Sequence, residues 1–198
     1  SIIPSTKEYV PVGNLHFSAS LNAYQKLAIP SSGSAYSFLH YLNNSLIIGL
    51  LSTLASVALG TGCAYGFSRF QIRGAQDWLF FILSTRFLPP LAVVVPVLMM
   101  YRQFDLPNTH LGLILLYTAF NLSLAVWLMK GFIDDMPRAY EEAALVDGYT
   151  RFQAFYKIIL PQSATGMAVT AVFCMISAWN EYGFALALNN AHAVTVPV

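Results

Sequence analysis

Apolar and polar positions along this chain separate into long blocks instead of alternating at short range. From Asn43 the composition turns apolar, and no charged residue appears until after Phe67. At a rise of about 1.5 Å per residue this block crosses the roughly 30 Å of a bilayer's hydrocarbon, which predicts a transmembrane helix. Its small residues Gly49, Ser52, Thr53, Ser56, Gly60 and Gly62 recur at helical spacing, a pattern that favours close packing on other helices over lipid contact. A second block, Trp78 to Tyr101, is interrupted by Leu88-Pro89-Pro90 and by Pro96. Adjacent prolines break the hydrogen-bond ladder, and irregular backbone at membrane depth survives only where protein or a watery cavity covers it, so this segment is expected to face the bundle interior. A third block, Asn108 to Met129, carries Asn121 and Ser123 inside it, and a fourth, Gln162 to Leu188, carries Trp179-Asn180-Glu181-Tyr182 toward its far end. The fold class expected is all-α, a polytopic transmembrane helix bundle with four spans in residues 43–188. Residues 1–42 are mixed and polar, broken by Pro4, Pro11, Pro30 and the Ser31-Ser32-Gly33-Ser34 run, with a small helix expected around Asn22 to Leu27; residues 189–198 read as the start of another loop.

Charge is densest between the third and fourth blocks, in a loop over residues 131–161. Pro137 suits the first position of a helix, the acids from Asp134 to Glu142 would surround its positive end, and Gly148 is placed to close it in a left-handed conformation. Thr150 followed by Gln153 is a capping-box pattern, and Phe152, Phe155, Tyr156 and Ile159 then fall at i, i+3, i+4, i+7. The stretch therefore reads helix, glycine elbow, helix. On the first helix Tyr140, Ala143, Ala144 and Asp147 share a face, which the two alanines make thin enough for another protein's backbone to approach.

Composition agrees with a membrane class: 57% of residues are hydrophobic and 10% charged, against about 25% charged in soluble domains. A net charge of +1 without a basic run gives no sign of nucleic-acid binding. Cys63 and Cys174 lie in apolar segments, and His16, His40, His110 and His192 are scattered, so no metal-ligand spacing or disulfide framework is present. The opening Ser1-Ile2-Ile3-Pro4 lacks the pattern of a signal peptide, and the chain is expected to be the middle of a longer protein. Basic residues set the orientation. Arg69, Arg73, Lys130, Arg138, Arg151 and Lys157 fall on one side, Lys7, Lys26 and Arg102 on the other. The first side is then cytoplasmic, both ends lie outside, and the helix-elbow-helix meets a cytosolic partner.

Within the blocks, Arg86 is an ionised group that costs about 2.5–3.5 kcal/mol at membrane depth unless it is compensated. Glu181 is one candidate partner, but the two lie roughly 14 Å and 28 Å along their helices from the cytoplasmic side, too far apart for side chains to meet without large helix offsets. Carbonyls freed by Pro89 and Pro90 are the preferred partners, with Arg86 acting as a structural clamp or as part of a gate. Asn121 and Ser123 with Asn180 and Glu181 could line a polar route through the bundle; interhelical hydrogen bonding or interfacial exposure is the alternative. No Gly-x-x-x-x-Gly-Lys-Ser/Thr loop occurs, so the chain has no phosphate cradle of that type for ATP. No Ser/His/Asp set or His-Glu-x-x-His occurs either, which leaves a membrane enzyme little to stand on.

The string Glu142-Ala143-Ala144, three residues, Gly148, nine residues, then Ile158-x-Leu160-Pro161 resembles the EAA motif of membrane-spanning subunits of binding-protein-dependent ABC importers. Asn44-Ser45-Leu46, Ala64-Tyr65-Gly66-Phe67-Ser68-Arg69-Phe70, Thr85-Arg86-Phe87-Leu88-Pro89-Pro90, Asp147-Gly148 and Trp179-Asn180-Glu181 are similar to the carbohydrate branch, the maltose-type permeases. The resemblance implies an inner-membrane importer in which two permease subunits form the path and an extracytoplasmic binding protein delivers the solute. A cytosolic ATPase dimer would hold ATP and Mg, leaving no cofactor on this chain. Tyr140, Glu142, Ala143, Ala144, Asp147 and Gly148 would form the coupling helix that docks on the ATPase, while a sugar, or alternatively a polyol, glycerophosphate or polyamine, would be the solute. Members of the family usually have six spans, so the chain is expected to begin after a first helix and stop before a last one.

Overall fold

The computed structural model describes residues 38–181, 183–188 and 195. The chain divides into two units, Ser1–Leu39 and His40–Val198. The polar region 1–37, with the small helix expected in it, lies outside the described residues, as do Tyr182 and most of the closing loop. Everything described is helix, turn or connection, with no strand among the described residues. Helix α1 spans Phe38–Arg69, α2 Ala75–Ser84 with a 3-10 turn at Thr85–Phe87, α3 Pro90–Gln103, and α4 His110–Asp134. Short α5 (Ala139–Val146) and α6 (Arg151–Ala154) follow, then a π-helical turn at Phe155–Ile159, α7 (Leu160–Gln162), α8 (Ala164–Trp179) and α9 (Gly183–Leu188).

Helix α1 is built inside out. Leu46, Leu50 and Leu54 stand about half exposed, whereas Ser52 and Ser56 are fully buried. The reason is the small-residue stripe, which lets a second backbone come close. A Cβ placed on Gly60 would stand 2.6 Å from the Ala125 Cβ of α4, and one on Gly49 would stand 3.0 Å from the Met175 sulfur of α8. Polar atoms then reach across: the Ser56 hydroxyl donates to the Thr118 carbonyl (3.2 Å), and Thr118 donates to the Ser52 carbonyl (3.5 Å). Such contacts hold helices together where lipid competes equally for every leucine. Helices α4 and α8 close the same way, with Gly166 so near Phe132 that a Cβ would meet its ring at 2.6 Å.

Among the described residues two helices, α1 and α4, are long and apolar enough to cross a membrane unaided, and two bent pairs bring the possible crossings to four. The second block is broken at its diproline, as expected, whereas the fourth is not the continuous span expected of it. Ala75–Phe87 and Ala92–Gln103 diverge by 94°. Leu88 and Pro89 are extended (ψ 124° and 125°), and Pro90 opens α3 at its first turn, where its missing N–H costs nothing. Pro96, expected to interrupt the segment as well, stays inside α3. Where the fourth block begins, Arg151–Gln162 and Ala164–Trp179 diverge by 70° at Ser163. Helix α8 then stops at Trp179, because the Asn180 amide donates to the Ile176 carbonyl (2.8 Å) that also takes the Asn180 backbone N–H.

The packing at Gly60 yields a prediction. Gly60→Val in the full-length protein should lower stability by about 1–3 kcal/mol, the usual cost of overpacking, whereas Gly62→Ala, which faces open space, should leave it nearly unchanged. Thermal unfolding in detergent reads both, and equal melting temperatures for the two variants would contradict the close α1–α4 contact.

Candidate functional site

The helix-elbow-helix is built from local signals. Helix α5 begins at Ala139, two residues after Pro137, and Asp134 closes α4 instead of joining the acids around the α5 N-terminus. Its far end is a Schellman turn: Gly148 takes φ 86°, its N–H donates to the Leu145 carbonyl (3.2 Å), and the Tyr149 N–H donates to the Ala144 carbonyl (3.0 Å). Across the elbow, Thr150 and Gln153 form the expected capping box, each side chain accepting from the other's backbone N–H.

The faces of α5 divide differently from the sequence expectation. Tyr140, Glu142, Ala143 and Asp147 are exposed, but Ala144 is 2% exposed and turned inward with Glu141. In its place Val146, at 87%, completes the outer face. Tyr140, Ala143, Val146 and Asp147 then stand at i, i+3, i+6 and i+7, a stripe of two small or branched apolar groups between a phenol and a carboxylate.

The inward side holds a charge cluster that the sequence reading did not single out. The Glu141 carboxylate accepts a hydrogen bond from the Tyr65 hydroxyl. It also pairs with Arg69, Nε lying 2.9 Å from Oε2, with both side chains almost fully buried. The contact is ionic more than directional, since the Nε–H is not aligned on the oxygen. Arg69 donates in addition to the Met136 carbonyl (3.0 Å), Arg138 donates to the Ser68 carbonyl (3.2 Å), and Ser68 donates to Asp134 (2.5 Å). Lys130 pairs with the other oxygen of Asp134. Beyond the elbow, Arg151 lies over the Phe70 ring at 5.6 Å. Arg69, Lys130, Arg138 and Arg151 thus collect at one end of the bundle. Glu141 and Ala144 three apart gave a signal of an inner face, but which side of an eight-residue helix turns inward is decided by what packs on it.

The interior polar groups form a second constellation. Arg86 does not bond carbonyls freed by the prolines, nor does it pair with Glu181. Its guanidinium donates to the Phe120 carbonyl and the Asn121 side-chain oxygen (3.2 Å each) and to the Ser177 hydroxyl (2.9 Å), and it stands over the Phe120 ring at 5.3 Å. The 3-10 turn sets the guanidinium against α4 and α8, so the nearest acceptors come from those helices and not from its own chain segment. The Asn121 amide in turn donates to the Cys174 carbonyl (3.3 Å). Pro89 and Pro90 form the break next to this hub. The remaining route candidates are not gathered with it: Ser123 bonds back to the Phe120 carbonyl of its own helix (3.3 Å), Asn180 is exposed, and the Glu181 carboxylate accepts from the Phe184 N–H at the start of α9 (3.4 Å). A cavity of 670 Å³ lies between the end of α1, α2 and α4, lined by Phe67, Phe80, Trp127, Lys130 and Asp134 among others, and none of the route candidates lines it. No cluster that could hold a metal occurs among the described residues.

Residues 56–197 match the model of a family described as "Binding-protein-dependent transport system inner membrane component". The chain is 35% identical over 80% of its length to the trehalose/maltose transport system permease protein MalG of Thermococcus litoralis, covering 57% of that protein. It is 37% identical over 79% of its length to the trehalose transport system permease protein SugB of Mycobacterium tuberculosis, covering 58% of it. Among solved structures it superposes with a TM-score of 0.66 on a chain of a bacterial ABC transporter involved in the import of the acidic polysaccharide alginate, at 26% identity, covering 81% of this chain and 55% of that one. The chain therefore spans little more than half the length of these relatives.

The hub carries its own test. Arg86→Leu should destabilise the full-length protein by about 1.5–3 kcal/mol, the range for hydrogen bonds to a charged group. Arg86→Lys should recover only part of this, because one ammonium cannot serve a carbonyl, an amide and a hydroxyl at once. Unfolding in detergent distinguishes them, and a lysine variant as stable as wild type would show that the forked geometry is unimportant.

Proposed function

Because the chain belongs to the family of binding-protein-dependent transport system inner membrane components, we propose that it is part of the permease subunit of an ATP-driven importer for a sugar or related solute. Helix α5 is its docking element on a cytosolic ATPase. The observation that carries this reading is the exposed stripe of Tyr140, Ala143, Val146 and Asp147 on a short capped helix between membrane-crossing helices. A rigid helix with a thin, half-apolar face and a Schellman turn at its end can seat in a groove of a partner and pass the partner's movement to the spans as a tilt. ATP and Mg would reside on the ATPase, since the chain has no phosphate-binding loop of the Gly-x-x-x-x-Gly-Lys-Ser/Thr type. A second permease subunit would complete the path, and an extracytoplasmic binding protein would supply the solute.

The sugar assignment comes from relatives named for trehalose, maltose and diacetylchitobiose transport. Within the path, the Arg86–Asn121–Ser177 hub beside the Pro89-Pro90 break serves as a clamp at the point where the route through the bundle bends. Ser123, Asn180 and Glu181 stand as further polar positions along that route.

In the full-length importer, Glu142→Lys or Gly148→Pro should reduce uptake by about 5- to 150-fold, the span of a 1–3 kcal/mol coupling term, while capture of solute by the binding protein is unchanged. Proline cannot adopt the positive φ of Gly148 (86°). Uptake into vesicles, with the solute first identified by mass spectrometry of the purified binding protein, makes the measurement; undiminished uptake would remove the docking role.

A further inference from the structure

We infer that Glu141, Arg69 and Tyr65 form a buried latch that makes the docking helix and the end of the first span move as one body, Glu141 being the positioning residue. The inference rests on the docking role proposed for α5 and adds the element through which α5 acts. A carboxylate almost fully removed from water is costly unless a cation and a hydrogen-bond donor meet it. Both come here from α1: Arg69 as the ion pair at 2.9 Å, Tyr65 as the hydroxyl donor. The same last turn of α1 grips the approach to α5 at further points, through Arg69 to the Met136 carbonyl, Arg138 to the Ser68 carbonyl, and Ser68 to Asp134. It grips the far side of the elbow as well. The Tyr65 ring packs on Phe155 with centroids 4.6 Å apart, and Phe155 in turn lies against the core cluster that Tyr65 forms with Ala64, Met129, Ile133 and Ile159.

Both arms of the elbow are therefore fastened to α1, and the fastening lies on the side of α5 opposite its exposed stripe. A push on Val146 or Ala143 cannot tilt α5 alone, because tilting would pull the Glu141 carboxylate from Arg69 and leave two buried charges unpaired. The movement passes to residues 65–69 and so to the long helix that packs on α4.

The native thiol at Cys63 is exposed and two residues from Tyr65. In the full-length protein assembled with its ATPase, with every other cysteine replaced, a spin label on Cys63 should change its spectrum when ATP and vanadate are added. Glu141→Gln should abolish that change while nucleotide binding to the ATPase is retained. Tyr65→Phe, which keeps the ion pair, should weaken it less, and serves as the second variant if Glu141→Gln fails to assemble. A nucleotide response that persists in Glu141→Gln, or is absent in the wild type, would overturn the latch. Disulfide capture of Val146→Cys by a cysteine on the ATPase, measured in parallel, tests the docking role itself. Capture without a Cys63 response sinks the latch alone, and failure of capture sinks the docking reading.

Discussion

Helices surrounded by hydrocarbon gain nothing by hiding leucine from leucine, so the association of α1, α4 and α8 depends on close approach and on polar atoms that reach across. Gly60 against Ala125, Gly49 against Met175 and Gly166 against Phe132 supply the approach. Ser56 and Thr118 supply the cross-links. The leucines of α1 are left on the outside.

That frame explains where broken helices are tolerated. The turn at Leu88 and Pro89 frees backbone groups and brings an arginine to membrane depth, two liabilities that would be costly on a lipid-facing surface. Here the arginine is turned against α4 and α8, where a carbonyl, an amide and a hydroxyl receive it. A break in one segment thus becomes a junction among three. At Asn180 and Glu181 the same problem is solved locally, the amide closing α8 and the carboxylate accepting from the Phe184 N–H of α9.

At the other end of the bundle the short helix α5 has too few residues to hold its own position. Its place is set by Glu141, whose charge is withdrawn from water only because Arg69 and Tyr65 withdraw with it. Fixing one side of the helix in this way leaves the opposite side, with Ala143 and Val146, free for contact. One buried, attached face and one exposed face are thereby obtained from eight residues.

Much of this was legible in the chain itself. Apolar block length predicted the long spans of α1 and α4, the small-residue spacing predicted their close packing, and Thr150, Gln153 and Gly148 predicted the elbow, because each signal acts within a few residues of where it is read. The diproline break in the second block is legible too, whereas the stop at Trp179 inside the fourth has no such signal, and a diproline reveals that a helix breaks but not the direction in which its halves diverge. The partners of Arg86 were misread for the same reason: helical rise gives depth along one axis, while the acceptors lay sideways on α4 and α8. Helical spacing puts Ala144 on the outer face, yet it turns inward with Glu141, since an eight-residue helix has no intrinsic inside. The sequence alone determined which segments are helical and how deep each can reach. Only the tertiary structure decided which side of each helix meets a neighbour, because that depends on charges and rings brought together from positions 65, 69, 141 and 155, across more than seventy residues of chain.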